Sequence, residues 1–334
     1  MTDRTSLGHW VRRFLLQYAA SERNLSPNTR ASYRDMLVLL LPYVAKSKGA
    51  AIDKLAVTDL SAEVARAFLA HLESERQCST STRNQRLGSI HALAKFIGAH
   101  SPQHVEWCAQ IRMVPIKKGI NASVTYLEKL EIDALLAAPN RSSGQGVRDH
   151  ALLLFLYNTG ARVSEALAIR ARDLQLERPR QVRLLGKGRK ERICPLWPET
   201  ASALHRIIPV KSGEEFLFRN TRGAPLTRDG VAYLLRKYVR SAAQHAPALR
   251  KRTVTPHVMR HSCAVALLQA GIDVSVIRDY LGHASVATTS RYITTNLQMK
   301  RDVLEAFWKR AGLDPAAPRR WRPSPKLLAF LESL

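Results

Sequence analysis

The sequence predicts a mainly α-helical protein with one small β-sheet confined to its second half. Three observations carry this expectation: apolar residues at helical spacing through the first hundred positions, two Ser/Thr-Pro helix starts, and a single glycine-bounded hairpin pattern. At 334 residues, 46% of them hydrophobic, the chain is long enough for two folded domains.

The N-terminal elements follow in order. Trp10, Phe14, Leu15 and Tyr18 share one helical face. Ser26-Pro27 starts a second helix, with serine as cap and proline where no N–H is needed; Tyr33, Met36, Leu37, Leu40 and Leu41 form its buried side. A third helix is expected over 61–76. A fourth covers 80–98, with Leu87, Ile90, Leu93, Ala94 and Ile97 as its stripe. Arg23, Arg30, Arg34, Arg83 and Arg86 are interleaved on these helices, either as phosphate contacts or as a solvated face. A short helix at 102–111 leads into MVPIKKGINASVT, which has no sustained periodicity and reads as a linker.

The second half is expected to open with helices at 126–137 and from Arg148 to about Gly160. Leu167–Ile169, Gln181–Leu185 and Ile193–Leu196 read as strands, and the turn GKGRKE suits a tight hairpin. Arg178, Arg180, Arg183, Lys187, Arg189, Lys190 and Arg192 surround it, a density of positive charge that calls for an anion. Helices resume after Leu226.

Charge narrows the function classes. Lys and Arg number 52 against 27 Asp and Glu, a net charge of +25, which favours polyanions because neutralised phosphates release counterions. Ribosomal and membrane-surface proteins share such a balance. Cys78, Cys108, Cys194 and Cys263 are scattered without a C-x-x-C pair, which argues against a zinc ribbon or disulfide scaffold and for a reducing compartment. The N-terminal segment is amphipathic rather than an apolar leader, and no run approaches the roughly 18 apolar residues of a membrane span. A soluble, cytoplasmic protein is expected.

Three segments carry candidate chemistry. Arg162, in NTGARVSEALAI, follows a helix-ending glycine and can aim its fork at a phosphate, or pair with Glu165. In TPHVMRHSCAVALLQAG, Thr255 can cap a helix opened by Pro256, placing His257 and Arg260 on one face near its N-terminus. His257 and His261 have metal-ligand spacing, but Val258 stands where a zincin has glutamate, so no metal is expected and His261 reads as structural. In VIRDYLGHASVATTSRYI, Gly282 ends a helix and puts His283 in a turn, and Ser285 can cap a further helix carrying Tyr292. Taken alone, Tyr292 is a half-buried aromatic, as Tyr280 is expected to be.

Together, R…K…HxxR…H…Y in these contexts resembles the tyrosine recombinase (phage integrase) family, nearest to Xer-type and transposon-encoded members. The resemblance covers about residues 7–312 and rests on TGARVSEAL, GKGRKER, PHVMRH and LGHASVATTSRYI. It implies an N-terminal helical, SAM-like core-binding bundle (1–111), a linker (112–124), an α+β catalytic domain (125–314) and a C-terminal arm (315–334). The two domains would form a clamp on double-stranded DNA. Tyr292 matches the nucleophile, Arg162 and Arg260 the phosphate-clamping arginines, and His257 and His283 the active-site histidines. Lys187 matches the lysine that protonates the leaving 5′-hydroxyl, with Lys190 nearby in the same turn. The resemblance further implies a 3′-phosphotyrosyl intermediate, a Holliday junction, a homotetramer on two sites, and no cofactor, metal or ATP. Related recombinases can join as partners.

The physical logic agrees. Two arginines and a histidine can stabilise charge growing on a phosphodiester, and dense positive charge favours the phenolate of a tyrosine whose ordinary pKa is about 10. Integration or transposition of a mobile element is the leading biological role. Xer-type dimer resolution, a catalytically silent DNA-binding accessory subunit and a type IB topoisomerase are the competing readings. The C-terminal residues Leu327, Leu328, Phe330, Leu331 and Leu334 make a short amphipathic end that either docks on a neighbouring protomer or packs on its own domain.

Overall fold

A computed structural model describes residues 6–119, 124–186, 190–208 and 213–282. The chain divides into two compact units, Met1–Ala122 and Ser123–Leu334.

The regular elements of the first unit are helices, beside one isolated bridge between Ser6 and Ala56 among its described residues. Helix α1 (Leu7–Arg13) widens into a π-helical stretch, Phe14–Glu22, and α2 (Pro27–Lys48), α3 (Ala62–Ser74), α4 (Thr80–His100) and α5 (Val105–Arg112) follow. Local chemistry sets their ends. Ser26 Oγ accepts from the Thr29 amide at 3.3 Å, so one orphan N–H of α2 is satisfied. Gly49 closes the helix with φ +62°. The expected stripe of α4, Leu87, Ile90, Leu93, Ala94 and Ile97, is buried against Met36, Leu37 and Leu40 of α2. Phe14 anchors an aromatic cluster, with ring centres 5.7 Å from Tyr18, 5.0 Å from Tyr33 and 5.7 Å from Phe96.

The second unit is built around α7 (Gly144–Thr159), whose residues from Asp149 to Thr159 are all buried. A helix apolar on every side must be surrounded. Helices α6 (Lys129–Ala137), α8 (Val163–Ala168), α9 (Pro198–His205) and α11 (Pro256–Gln269) pack around it, and α10 (Arg228–Ala242) packs against α6, α8 and α11. Helix α12 (Val274–Leu281) packs on α11. The helix begins four residues before the expected Arg148. Ser143 caps it through the Gly146 amide at 3.1 Å, and a Cβ at Gly146 would fall 1.8 Å from the Asn140 carbonyl oxygen. Gly146, a weak helix former, thus stands in the first turn of α7 because a side chain would not fit there.

The sheet is antiparallel in the order β1 (Leu174–Gln175), β2 (Gln181–Leu185), β3 (Glu191–Pro195). The strand expected at Leu167–Ile169 is not one. Leu167 and Ala168 end α8, where the Glu165 carboxylate caps the Arg162 amide at 2.9 Å, and only Ile169 is extended. A helix-capping acid outweighed the short apolar run. The β2–β3 hairpin does form, closed where the Gly186 amide donates to the Lys190 carbonyl at 2.8 Å. Val182, Leu184 and Cys194 face the interior.

Candidate active site

Two left-handed turns frame the site. Gly160 ends α7 at φ +56° and Gly282 ends α12 at φ +66°. At Gly160 only glycine fits, because a Cβ would lie 2.4 Å from Leu281 Cδ2 and 3.3 Å from Cys263 Sγ. The two turns are therefore packed together. A second tie holds them from inside: Tyr280 donates its hydroxyl to the Asn158 carbonyl at 2.6 Å and accepts from Asn158 Nδ2 at 3.2 Å. Tyr280 is thus a framework residue, and burial pushes its phenol far above the ordinary range.

Arg162 and Arg260 both reach these turns. Arg260, on α11 and 3% exposed, donates through Nη1 to the Gly160 carbonyl at 2.6 Å and through Nη2 to the Leu281 carbonyl at 2.7 Å. Arg162, just ahead of α8, donates through Nη2 to the next carbonyl, Gly282, at 3.1 Å. Two arginines far apart in sequence therefore grip consecutive carbonyls at one helix end. The Thr255-Pro256 start lies where the sequence puts it, with Thr255 Oγ1 accepting from the Val258 amide at 3.3 Å. His257 on that first turn is lowered from its ordinary value by partial desolvation, then by the charges of Arg260 and Arg162. Both arginines thus act on its imidazole and disfavour its protonated form. Lys187, His283 and Tyr292 lie outside the described residues, as do Ser285, its expected helix and the arm 315–334.

The Arg162–Glu165 pair, one of two outcomes open from sequence, forms at 2.7 Å. Sequence reasoning missed what else holds Glu165. Arg192, expected among the anion-facing cations of the hairpin, turns inward and meets the Glu165 carboxylate at 2.8 Å. Burial by itself would raise the Glu165 carboxyl; the hydrogen bonds and charges of Arg192 and Arg162 outweigh it and hold the group below its ordinary value. The readable signal was the pleat: Arg192 lies two residues before buried Cys194, hence on the same face of β3. Arg183 likewise pairs within the chain, with Asp173 at 3.1 Å. Lys190 is exposed.

His261 stacks on His257, ring centres 6.1 Å apart and 17° from parallel. Burial, then the charges of His257 and Arg260, push it down to about 4. No group of three His, Cys, Asp or Glu able to hold a metal occurs among the described residues. In the first unit, Arg83 turns inward, donating to the Pro115 carbonyl at 3.0 Å, and Arg34 pairs with Asp35 at 2.7 Å.

The phage integrase family matches residues 125–299, and the phage integrase N-terminal SAM-like domain matches residues 12–100. The chain belongs to the phage integrase family. Its members are the tyrosine recombinases, and the resemblance carried by the four sequence motifs is thereby established. An integrase/recombinase so named from Sinorhizobium fredii (y4rC) is 37% identical over 336 residues, covering 100% of both chains. The tyrosine recombinase XerC of Roseiflexus castenholzii is 33% identical over 291 residues, 84% of this chain and 87% of its own. Among solved structures, the site-specific recombinase XerH bound to its difH substrate has the same fold, with TM-score 0.69 at 21% identity over 92% of this chain and 98% of that one. The Tn1549 transposon integrase with circular intermediate DNA aligns with TM-score 0.63 at 17% identity, covering 89% and 99%. This integrase-family chain is accordingly a tyrosine site-specific recombinase in fold and family.

Proposed function

We propose that this recombinase cleaves and rejoins double-stranded DNA through Tyr292, serving the integration or transposition of a mobile element. The observation that carries the reading is the convergence of Arg162 and Arg260 on the paired glycine turns, with His257 near enough for both their charges to lower it. Three groups suited to one phosphodiester stand together in a family whose chemistry needs them.

The steps follow from charge and proton balance. Arg162 and Arg260 hold the non-bridging oxygens of the scissile phosphate and stabilise the charge that grows there. The Tyr292 hydroxyl attacks phosphorus and passes its proton to an imidazole, a role for which His257 is the candidate. The bond to the 5′-oxygen breaks as Lys187 delivers a proton to it, and His283 adds a further donor to the phosphate. The product is a 3′-phosphotyrosyl link and a free 5′-hydroxyl. Reversal with a 5′-hydroxyl from a second duplex exchanges the strand, so bond energy is conserved and a Holliday junction forms between exchanges. In this reading residues 1–111 are the core-DNA-binding domain, 112–124 a linker, 125–314 the catalytic domain and 315–334 an arm. Four protomers act on two sites in the cytoplasm.

The full-length relative named as an integrase/recombinase favours the mobile-element role. The relatives named XerC support dimer resolution as the second reading. Nicked suicide duplexes tiled across the DNA flanking the gene should trap a covalent protein–DNA complex on one sequence. Tyr292→Phe should abolish trapping while duplex binding persists; equal trapping by Tyr292→Phe would overturn the nucleophile assignment.

A further inference from the structure

Arg192 joins three parts of the site that the reaction uses separately. Its side chain, 11% exposed, comes from β3, directly opposite Leu184 in the hairpin. Nη2 donates to Glu165 Oε2 at 2.8 Å and Nε donates to the Tyr280 carbonyl at 3.0 Å. The guanidinium also lies close to two glycines. A Cβ at Gly282 would fall 3.2 Å from Arg192 Nη1, and one at Gly186 would fall 3.6 Å from the same atom. Gly186 is the residue before Lys187, and Gly282 is the residue before His283. The other oxygen of the Glu165 carboxylate binds Arg162 Nη1 at 2.7 Å.

A planar fork with several fixed donors can serve these contacts at once, which a lysine ammonium cannot. Glu165 is 4% exposed, so its negative charge has to be met by cations inside the protein. With Arg192 present, that charge is divided between two guanidiniums, and Arg162 keeps donors for another anion. Without Arg192, the same carboxylate would draw Arg162 more tightly onto itself.

We propose that Arg192 is a positioning residue of the recombination reaction: it shares the Glu165 carboxylate with Arg162 and ties the end of α12, just ahead of His283, to that same carboxylate, beside the hairpin residue that precedes Lys187. This rests on the assignment of Arg162 as a phosphate clamp. The claim concerns strand cleavage and leaves DNA affinity alone, because the bridge is internal.

The test measures the single-turnover rate of covalent complex formation at saturating DNA, on the suicide duplex that traps the wild type, beside the affinity for the intact duplex. Arg192→Met should cleave at least about tenfold more slowly with affinity within about twofold. Arg192→Lys, which keeps a cation beside Glu165, should lose distinctly less. Adding Glu165→Gln to Arg192→Met should recover rate, because the neutral amide no longer holds Arg162. The double variant should therefore exceed the product of the two single effects by about fivefold or more. Wild-type cleavage by Arg192→Met, equal losses in the Lys and Met variants, or single effects that simply multiply would each overturn the proposal. If Arg192→Met fails to fold, the Lys variant and its Glu165→Gln double decide by the same comparison. Tyr292→Phe separates the two levels. Trapping by Tyr292→Phe refutes the wider reading, whereas a silent Arg192→Met beside an inactive Tyr292→Phe refutes only the role of Arg192.

Discussion

The unit 1–122 buries mainly aliphatic and aromatic side chains, with Phe14 in contact with Tyr18, Tyr33 and Phe96 and Arg83 as a buried charge, whereas the unit 123–334 buries Glu131, Asp149, Asn158, Glu165 and Arg260. The first holds together by packing, which tolerates exchange of one apolar shape for a similar one. The second adds several buried charges of both signs, which stand only while each partner is in place. A site that must present two arginines to a phosphate needs that second kind of interior, because a guanidinium held by carbonyls and a carboxylate keeps its direction before the ligand arrives. The contrast predicts that damage to the first unit is felt as stability, and damage to the second as stability and cleavage together.

The largest expected effect tests the packing side. Phe14→Ala removes a ring with no exposed surface and should cost about 4 kcal/mol. Denaturant unfolding followed by hydrogen exchange should assign the loss to the helices of the first unit, with the second unit's protection unchanged. Loss spread evenly over both units would break the division. Gly160→Ala comes next, at about 2 kcal/mol for a left-handed backbone and a contact that must shift. Because the Gly160 carbonyl receives Arg260, single-turnover cleavage should fall as well at temperatures where the variant stays folded. A variant that loses stability but cleaves like wild type would show that the turn is scaffold only.

The smallest effect is a pH dependence. His261 is held at about 4 against an ordinary 6.5, so between those values the unfolded chain takes up a proton that the folded chain refuses. Stability is fully present above about 6.5 and declines as pH falls toward 4. Allowing for solvent around the ring, its share is about 1 kcal/mol. His261→Phe should flatten the thermal midpoint across that range, in the second unit and not in the first. An unchanged pH profile would remove His261 from the account.

Much of this contrast was legible in the sequence where the signal is local. Ser26-Pro27 and Thr255-Pro256 open helices because a hydroxyl and a fixed φ act within three residues. Gly160 and Gly282 close helices because their backbone needs no Cβ there. The Arg162, His257 and Arg260 segments were recognisable from motif context. The meeting of Arg162 and Arg260 at consecutive carbonyls was not, since it depends on how α7, α11 and α12 pack. Leu167–Ile169 misled because three apolar residues fit a strand or the end of a helix, and the capping acid decided between them. Arg192 was misjudged for a related reason. Counting charges around a turn ignores the pleat, and one residue in two on β3 faces inward.

Arg260 has one further consequence. Its two carbonyl partners are the ends of two different helices, α7 and α12, and each helix end carries about half a negative charge from its aligned peptides. The pair amounts to roughly one negative charge gathered at a point without a side chain. A cation can therefore be stored in the interior by the backbone itself, in a form that no surface substitution can remove and that a change of salt screens little. In a chain with a net charge of +25, this arginine has its field already met at rest by the ends of two helices.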